Sequence, residues 1–297
     1  LQALSDAGTA VPSMGTAGRL CRGRKCAAPA AGSTGSIVRR RVAVIHRHHE
    51  IRRPVGRGVF TQTQKRIQIK ERTNYLEQLA KVNKKIAKIM KNQDKYPKIL
   101  LEMLSRNLDM TDYVLEYEEN KGQVFSDTIG TIKKGEYPLL LQYDKRWGYG
   151  MYGEEVIAIN GCGPTVVSII IAGLTGRNDI TPYDVASYSY TNGYYQDGTS
   201  WSFFTKGVQY FGITGTELNL SKQNMINELK NGHPIICSMG KGTFTTTGHI
   251  IAITGIQEDK FIIRDPNSKE RSNRLWSDEE IATQIKNLWS DQINFND

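Results

Sequence analysis

The sequence predicts an α+β fold, with helices in the first part of the chain and an antiparallel sheet in the second. Three observations carry that prediction. Residues 64–120 repeat apolar side chains at mostly three- and four-residue spacing among charged ones, the period of amphipathic helices. The glycine-flanked cysteine of Asn160-Gly161-Cys162-Gly163-Pro164-Thr165 opens into the apolar run Val166 to Ala172, which reads as a buried helix. After His233 the pattern becomes β-branched, apolar and bounded by glycine.

Residues 1–60 precede all of this. They hold eleven Lys and Arg against two acidic residues, a net charge of +9 that equals the charge of the whole 297-residue chain. The rest of the chain is therefore neutral, and no nucleic-acid role is expected of the folded body. Rich in Ala, Gly and Arg and without apolar periodicity, this segment cannot bury enough surface to offset its ordering entropy, so it reads as a disordered tail. It is either a polyanion-binding arm or a solvated extension, and the absence of an initial Met marks it as truncated, processed or appended. The cluster His46-Arg47-His48-His49 lacks the His-Glu-x-x-His spacing and neighbouring ligands of a zinc site, so no metal is expected there. No apolar run reaches transmembrane length, and no three-part secretory signal is visible.

Residues 61–130 form a helical lead-in expected to pack on the body or on a partner. Ile67, Leu76, Leu79, Val82, Ile86 and Ile89 mark one helix over about 64–91. Pro97 opens a second through Leu108, and Thr111-Asp112 caps a third through about Asn120. Residues 131–297 form the main domain. Tyr137 to Asp144 reads as a short strand, and the Cys162 helix follows it. Thr181-Pro182 opens a helix to Gly193, Thr199-Ser200-Trp201 caps one to Phe211, and Ser221 caps one to Lys230. Pro234–Met239, Gly248–Gly255 and Phe261–Asp265 read as strands, the last two joined by a hairpin turn at Gln257-Glu258-Asp259-Lys260.

Of the four cysteines, Cys21 and Cys26 lie in the tail, and Cys237 sits in an apolar strand as a core residue. Cys162 differs. Glycines on both sides remove backbone crowding, and a helix start offers unpaired N–H groups and a positive dipole end that favour a thiolate, the nucleophilic form. Taken alone, it reads equally as a small buried apolar residue.

Two residues in the strand half decide between these readings. His249 begins an otherwise apolar strand, and Asp265 ends the next one. Antiparallel pairing brings the start of one strand against the end of its neighbour, so the two are expected to face each other directly, Asp265 orienting the imidazole and leaving its other nitrogen for a nucleophile. The run then resembles the papain-like cysteine peptidases, and among them the peptidase C39-like family. Four motifs carry the resemblance in order: Gln142-Tyr143-Asp144-Lys145-Arg146-Trp147-Gly148, Gly161-Cys162-Gly163-Pro164, Gly248-His249 and Asp265-Pro266. It covers about Tyr137 to Trp289.

The resemblance implies a papain-like fold, helices carrying Cys162 against an antiparallel sheet carrying His249 and Asp265. It implies Cys162 as nucleophile, His249 as general base then acid, Asp265 as orienting residue, and Gln142 with the Cys162 N–H as oxyanion donors. A neutral amide in that role is worth roughly 3 kcal/mol; by its residue type alone Gln142 reads equally as a turn-capping amide. Trp147, Trp201 and Tyr195 are candidates either to line the cleft or to fill the core. A peptide or protein substrate and no cofactor are implied. The name-giving members of the family head transporters that cleave a double-glycine leader; here neither membrane helices nor a Walker A motif follows, so the chain resembles the stand-alone bacterial branch. The same triad would serve an amidase or acyltransferase acting on cell-wall peptides or isopeptides, and loss of catalysis would leave a binding module.

Overall fold

The computed structural model describes residues 62–294, with side chains from residue 71 onward. The expected tail, with Cys21, Cys26 and the His46–His49 cluster, lies outside the described residues.

The lead-in contains α1 (Gln62–Ala80), α2 (Lys84–Lys91), α3 (Lys98–Arg106), α4 (Thr111–Leu115) and α5 (Tyr117–Asn120). The single helix expected over 64–91 is two. Asn83 takes an extended conformation and its side chain accepts from the N–H groups of Lys85 and Ile86, so a new N-cap interrupts the periodic run and leaves Val82 exposed. The helix expected over 111–120 is likewise split at Glu116 into α4 and α5. A two-stranded ribbon follows, β1 (Met151–Tyr152) with β2 (Glu155–Val156), then α6 (Ile157–Asn160), α7 (Cys162–Thr175) and α8 (Pro182–Thr191). The helix expected to open at Thr181-Pro182 is present as α8, and the structure adds a reciprocal capping box between Thr181 and Asp184 at its start.

The second half contains β3 (Ile213–Leu218), α9 (Lys222–Lys230), β4 (Ile235–Met239), β5 (His249–Gln257), β6 (Lys260–Arg264), α10 (Lys269–Ser272), β7 (Leu275–Trp276), α11 (Asp278–Ile281) and β8 (Ile285–Ile293). The sheet is antiparallel with strand order β3-β8-β4-β5-β6-β7. The architecture is α+β, helices before sheet. The β5–β6 hairpin turns on Glu258 and Asp259, both at positive φ, 52° and 57°, as a two-residue loop matched to strand twist requires.

Three expectations change. Residues 137–144 form no strand: Pro138 lacks a donor, the Tyr137 carbonyl accepts from Arg264, the Leu141 carbonyl from the Trp147 indole, and the Gln142 N–H donates to the Pro266 carbonyl. The helix expected over 201–211 is two 3-10 turns, Trp201–Phe204 and Gly207–Phe211. Strands β3 and β8 were not expected, yet β8 lies between β3 and β4 inside the sheet. Its polar stretch Ser290-Asp291-Gln292 hides the period-two signal.

Helix α7 and the sheet share one core. Val166, Val167, Ile170 and Ile171 pack with Ile236 of β4, Ile250 and Ala252 of β5 and Trp289 of β8. The alternate residues Ile235, Cys237, Ile251 and Ile253 pack on the opposite face with Met225 of α9 and Trp276. The lead-in has no separate core: Leu76, Ile86, Leu100, Leu104 and Tyr117 cluster with Tyr143, Tyr149, Val156 and Ala158 of the main domain. Tyr113 and Tyr149 stack at 4.3 Å, and their hydroxyls donate to the carbonyls of Gly148 and Tyr113. The side of the main domain beside α6 and Cys162 is therefore walled by helices that precede it in sequence.

Candidate active site

Cys162 is the first residue of α7. The chain approaches through Gly161, where a Cβ would lie 2.6 Å from the Ile157 carbonyl oxygen, and leaves through Gly163, where one would lie 2.4 Å from Thr199 Oγ1. Only glycine fits on either side. As the first helical residue, Cys162 has an N–H without an intrahelical acceptor.

His249 opens β5 and is 8% exposed; Asp265 follows β6 and is wholly buried. His249 Nε2 and Asp265 Oδ1 are 2.8 Å apart. They are not directly opposite one another, as the sequence reading expected. The ladder ends at the pair Ala252 and Arg264, after an irregularity between Ile253 and Gly255, so His249 lies three residues before one partner and Asp265 one residue after the other. The contact runs along the diagonal, within reach of an imidazole and a carboxylate that share a face.

Nε2 is the ring nitrogen that Asp265 engages, and the imidazole lies near enough to the Cys162 thiol for each to act on the other's ionisation. Burial works to raise the Cys162 pKa. The hydrogen bond and charge of His249, with the N–H groups of Ile250 and Gly163, outweigh it and hold the thiol below its ordinary value. For His249, burial favours the neutral ring, but Asp265 and Cys162 reverse that and raise it to about 10. Burial likewise opposes ionisation of Asp265, and the charges of His249 and Arg271 overcome it. Both shifts favour the thiolate–imidazolium form of the pair. Cys237, wholly buried with no partner charge, has its thiol pushed far up and is inert.

Asp265 is held from four directions. Besides His249, Oδ1 accepts from the Asn267 N–H at 2.8 Å, Oδ2 accepts from Arg271 Nε at 2.5 Å, and its own N–H donates to Ser272 Oγ at 2.8 Å. Arg271 and Ser272 lie on α10, a short helix capped by Ser268. Sequence reasoning missed both: they belong to none of the four motifs, and only the turn after β6 folds them back onto the carboxylate.

Gln142 is 2% exposed and donates from Nε2 to the Ala158 carbonyl at 2.6 Å. That acceptor orients the amide with nitrogen inward and occupies one of its two N–H bonds. The Gln142 oxygen has no hydrogen-bond partner. Gln142, Cys162 and His249 line one cavity of about 490 Å³, closed on the far sides by the 242–248 loop, Asn267, Arg271 and the lead-in residues Arg72, Ile99, Met103, Arg106 and Asn107. The three aromatic candidates are absent from it. Trp147 is fully buried in the core, Trp201 is half exposed beside Trp289, and the Tyr195 hydroxyl binds Asn160 and Glu154. Among the described residues no cluster of His, Cys, Asp and Glu is arranged to hold a metal.

The model of the peptidase C39-like family matches residues 134–293, more than half of the chain. The chain belongs to the peptidase C39-like family. Its helical half carrying Cys162 packs against its antiparallel sheet carrying His249 in an α+β arrangement. This C39-like chain is similar to the solved peptidase domain of Streptococcus ComA, a bi-functional ABC transporter involved in a quorum sensing pathway, at 19% identity and a TM-score of 0.37 over 52% of this chain and 96% of that one. It is similar also to a C39-like peptidase structure from Bacillus anthracis, at 13% identity and a TM-score of 0.31 over 54% of this chain and 97% of the other. No curated protein matches it. Among the described residues, no helix is long and apolar enough to cross a membrane.

Proposed function

We propose that this C39-like chain is a cysteine peptidase in which Cys162 is the nucleophile, His249 the general base and acid, Asp265 the orienting residue and Gln142 an oxyanion donor. The observation that supports it most is the 2.8 Å contact of Asp265 Oδ1 with His249 Nε2, with that imidazole and Cys162 lining one cavity and acting on each other's ionisation. The thiolate attacks a peptide carbonyl; as the carbon–sulfur bond forms, the carbonyl pair moves onto oxygen. The free N–H of Gln142 Nε2 and the Cys162 N–H stabilise that charge. The His249 imidazolium gives its proton to the leaving amine as the carbon–nitrogen bond breaks, leaving a thioester and a neutral imidazole. That imidazole takes a proton from water, whose oxygen attacks the thioester and restores the thiolate.

The test is a broad peptide library with wild type and Cys162→Ala. Wild type is expected to cleave and to show a transient acyl mass on Cys162, whereas the alanine variant stays folded and cleaves nothing. Turnover that persists in Cys162→Ala, or a Cys162 thiol with ordinary titration, would overturn the proposal.

A further inference from the structure

Beyond Cys162 and His249, the only charged side chains among the described residues that line the cavity are three arginines brought together from distant parts of the chain: Arg72 of α1, Arg106 at the end of α3 and Arg271 of α10. No described carboxylate lines it. Arg72 and Arg106 share the single carboxylate of Glu102, and Arg271 shares Asp265 with His249. Cys162 and His249 are together neutral whichever of them holds the shared proton, and three guanidiniums face two carboxylates, so one positive charge is unmatched. Burial, together with the like charges of Arg72 and Arg271, pushes the Arg106 pKa down against the pull of Glu102, the mark of guanidiniums crowded in a partly desolvated space.

We propose that Arg72, Arg106 and Arg271 form a carboxylate subsite beside Cys162, so that the chain selects peptides bearing an acidic group close to the bond it cleaves. This rests on the peptidase reading for the bond cleaved, but the recognition itself needs no turnover. Guanidinium forks match carboxylates in shape as well as charge, and each has N–H groups beyond those its internal partner uses. Arg106 also donates to Thr246 Oγ1 at 3.0 Å, which ties the subsite to the loop that leads into His249. The lead-in helices thereby supply two of the three specificity groups.

The test measures binding by full-length Cys162→Ala and cleavage by wild type, using peptide pairs that differ only in Glu against Gln near the scissile position or in a free against an amidated C-terminus. At least one acidic peptide is expected to bind about tenfold more tightly than its neutral twin, the low end for one charge-assisted hydrogen bond. That ratio should shrink with added salt and fall toward one in Arg72→Gln and Arg106→Gln, with Arg106→Lys retaining part of it. Thr246→Val, which removes the bridge and no charge, should keep the preference. A preference confined to the free C-terminus assigns the carboxylate to the chain end, and one confined to Glu assigns it to a side chain; either supports the subsite. Equal binding of all pairs, a preference that survives in Arg72→Gln/Arg106→Gln, or its loss in Thr246→Val with the arginines intact overturns it. Selective binding without any cleavage leaves the subsite standing and removes the peptidase reading; cleavage without selectivity does the reverse.

Discussion

Asp265→Asn keeps the size of the buried side chain and removes its charge. In the wild-type protein that charge, opposing burial, is the largest influence favouring the His249 imidazolium. The span from the ordinary histidine value of 6.5 to about 10 corresponds, at about 1.4 kcal/mol for each pH unit, to about 5 kcal/mol of preference for imidazolium, divided between Asp265 and Cys162. Because the folded value lies above the unfolded one, His249 contributes stability that is complete below pH 6.5 and is lost as pH rises through about 10. The asparagine variant should lose most of that contribution, leave Arg271 without its charged partner, and melt further below wild type at pH 5 than at pH 7. The imidazolium is also what holds Cys162 as thiolate, so the midpoint for alkylation of Cys162 by iodoacetamide should move up toward the ordinary thiol value of 9.0. With peptide substrate, kcat/KM should fall about 100-fold or more, the lower end of what a positioned acid–base group supplies. Rates of Cys162 alkylation across pH 4–10, read by mass spectrometry, need no substrate. Coincident profiles for wild type and Asp265→Asn would refute the electrostatic account of this site.

Three further outcomes follow from the geometry. Gln142→Ala should lower kcat about 100-fold with little change in KM, the effect of losing one oxyanion donor, and an altered KM with intact kcat would return Gln142 to a structural role through Ala158. Gly163→Ala sets a methyl group 2.4 Å from Thr199 Oγ1 and should lower the melting temperature, with Thr199→Gly restoring part of it; an unchanged melting curve would show that the helix start shifts freely. Asp291, buried in β8 with neither oxygen partnered, has its pKa raised well above the carboxylate range by burial. The unfolded chain therefore ionises first and wild-type stability falls as pH rises above about 4, so the melting temperature of Asp291→Asn relative to wild type should climb between pH 4 and pH 8; parallel curves would mean that Asp291 is ionised in the fold.

Local signals in the chain were enough for the α+β class, the Cys162 helix and the β5–β6 hairpin. A proline and two glycines around one cysteine, Thr181-Pro182 at a helix start, and an apolar strand beginning at a histidine each act within a few residues, where local propensity and pattern reside. Failures came where a local signal was ambiguous or was overruled. Asn83 reads as helix until its side chain is seen capping the next one, and residues 137–144 have strand composition but give their polar backbone groups to partners far along the chain.

The motifs of the candidate site were legible because chemistry restricts which residue types can serve, and the four motifs lie in order along the sequence. The geometry of their meeting was not. The diagonal contact of His249 with Asp265 depends on the β5–β6 register, the four-way grip on Asp265 on the turn into α10, and the arginine-lined wall on helices packed against Tyr143, Tyr149 and Ala158. The sequence by itself determined which groups can react. Tertiary structure decided which charges surround them, because Arg72, Arg106 and Arg271 are separated by up to almost two hundred residues in the chain and nothing local in the sequence records that they line the same cavity.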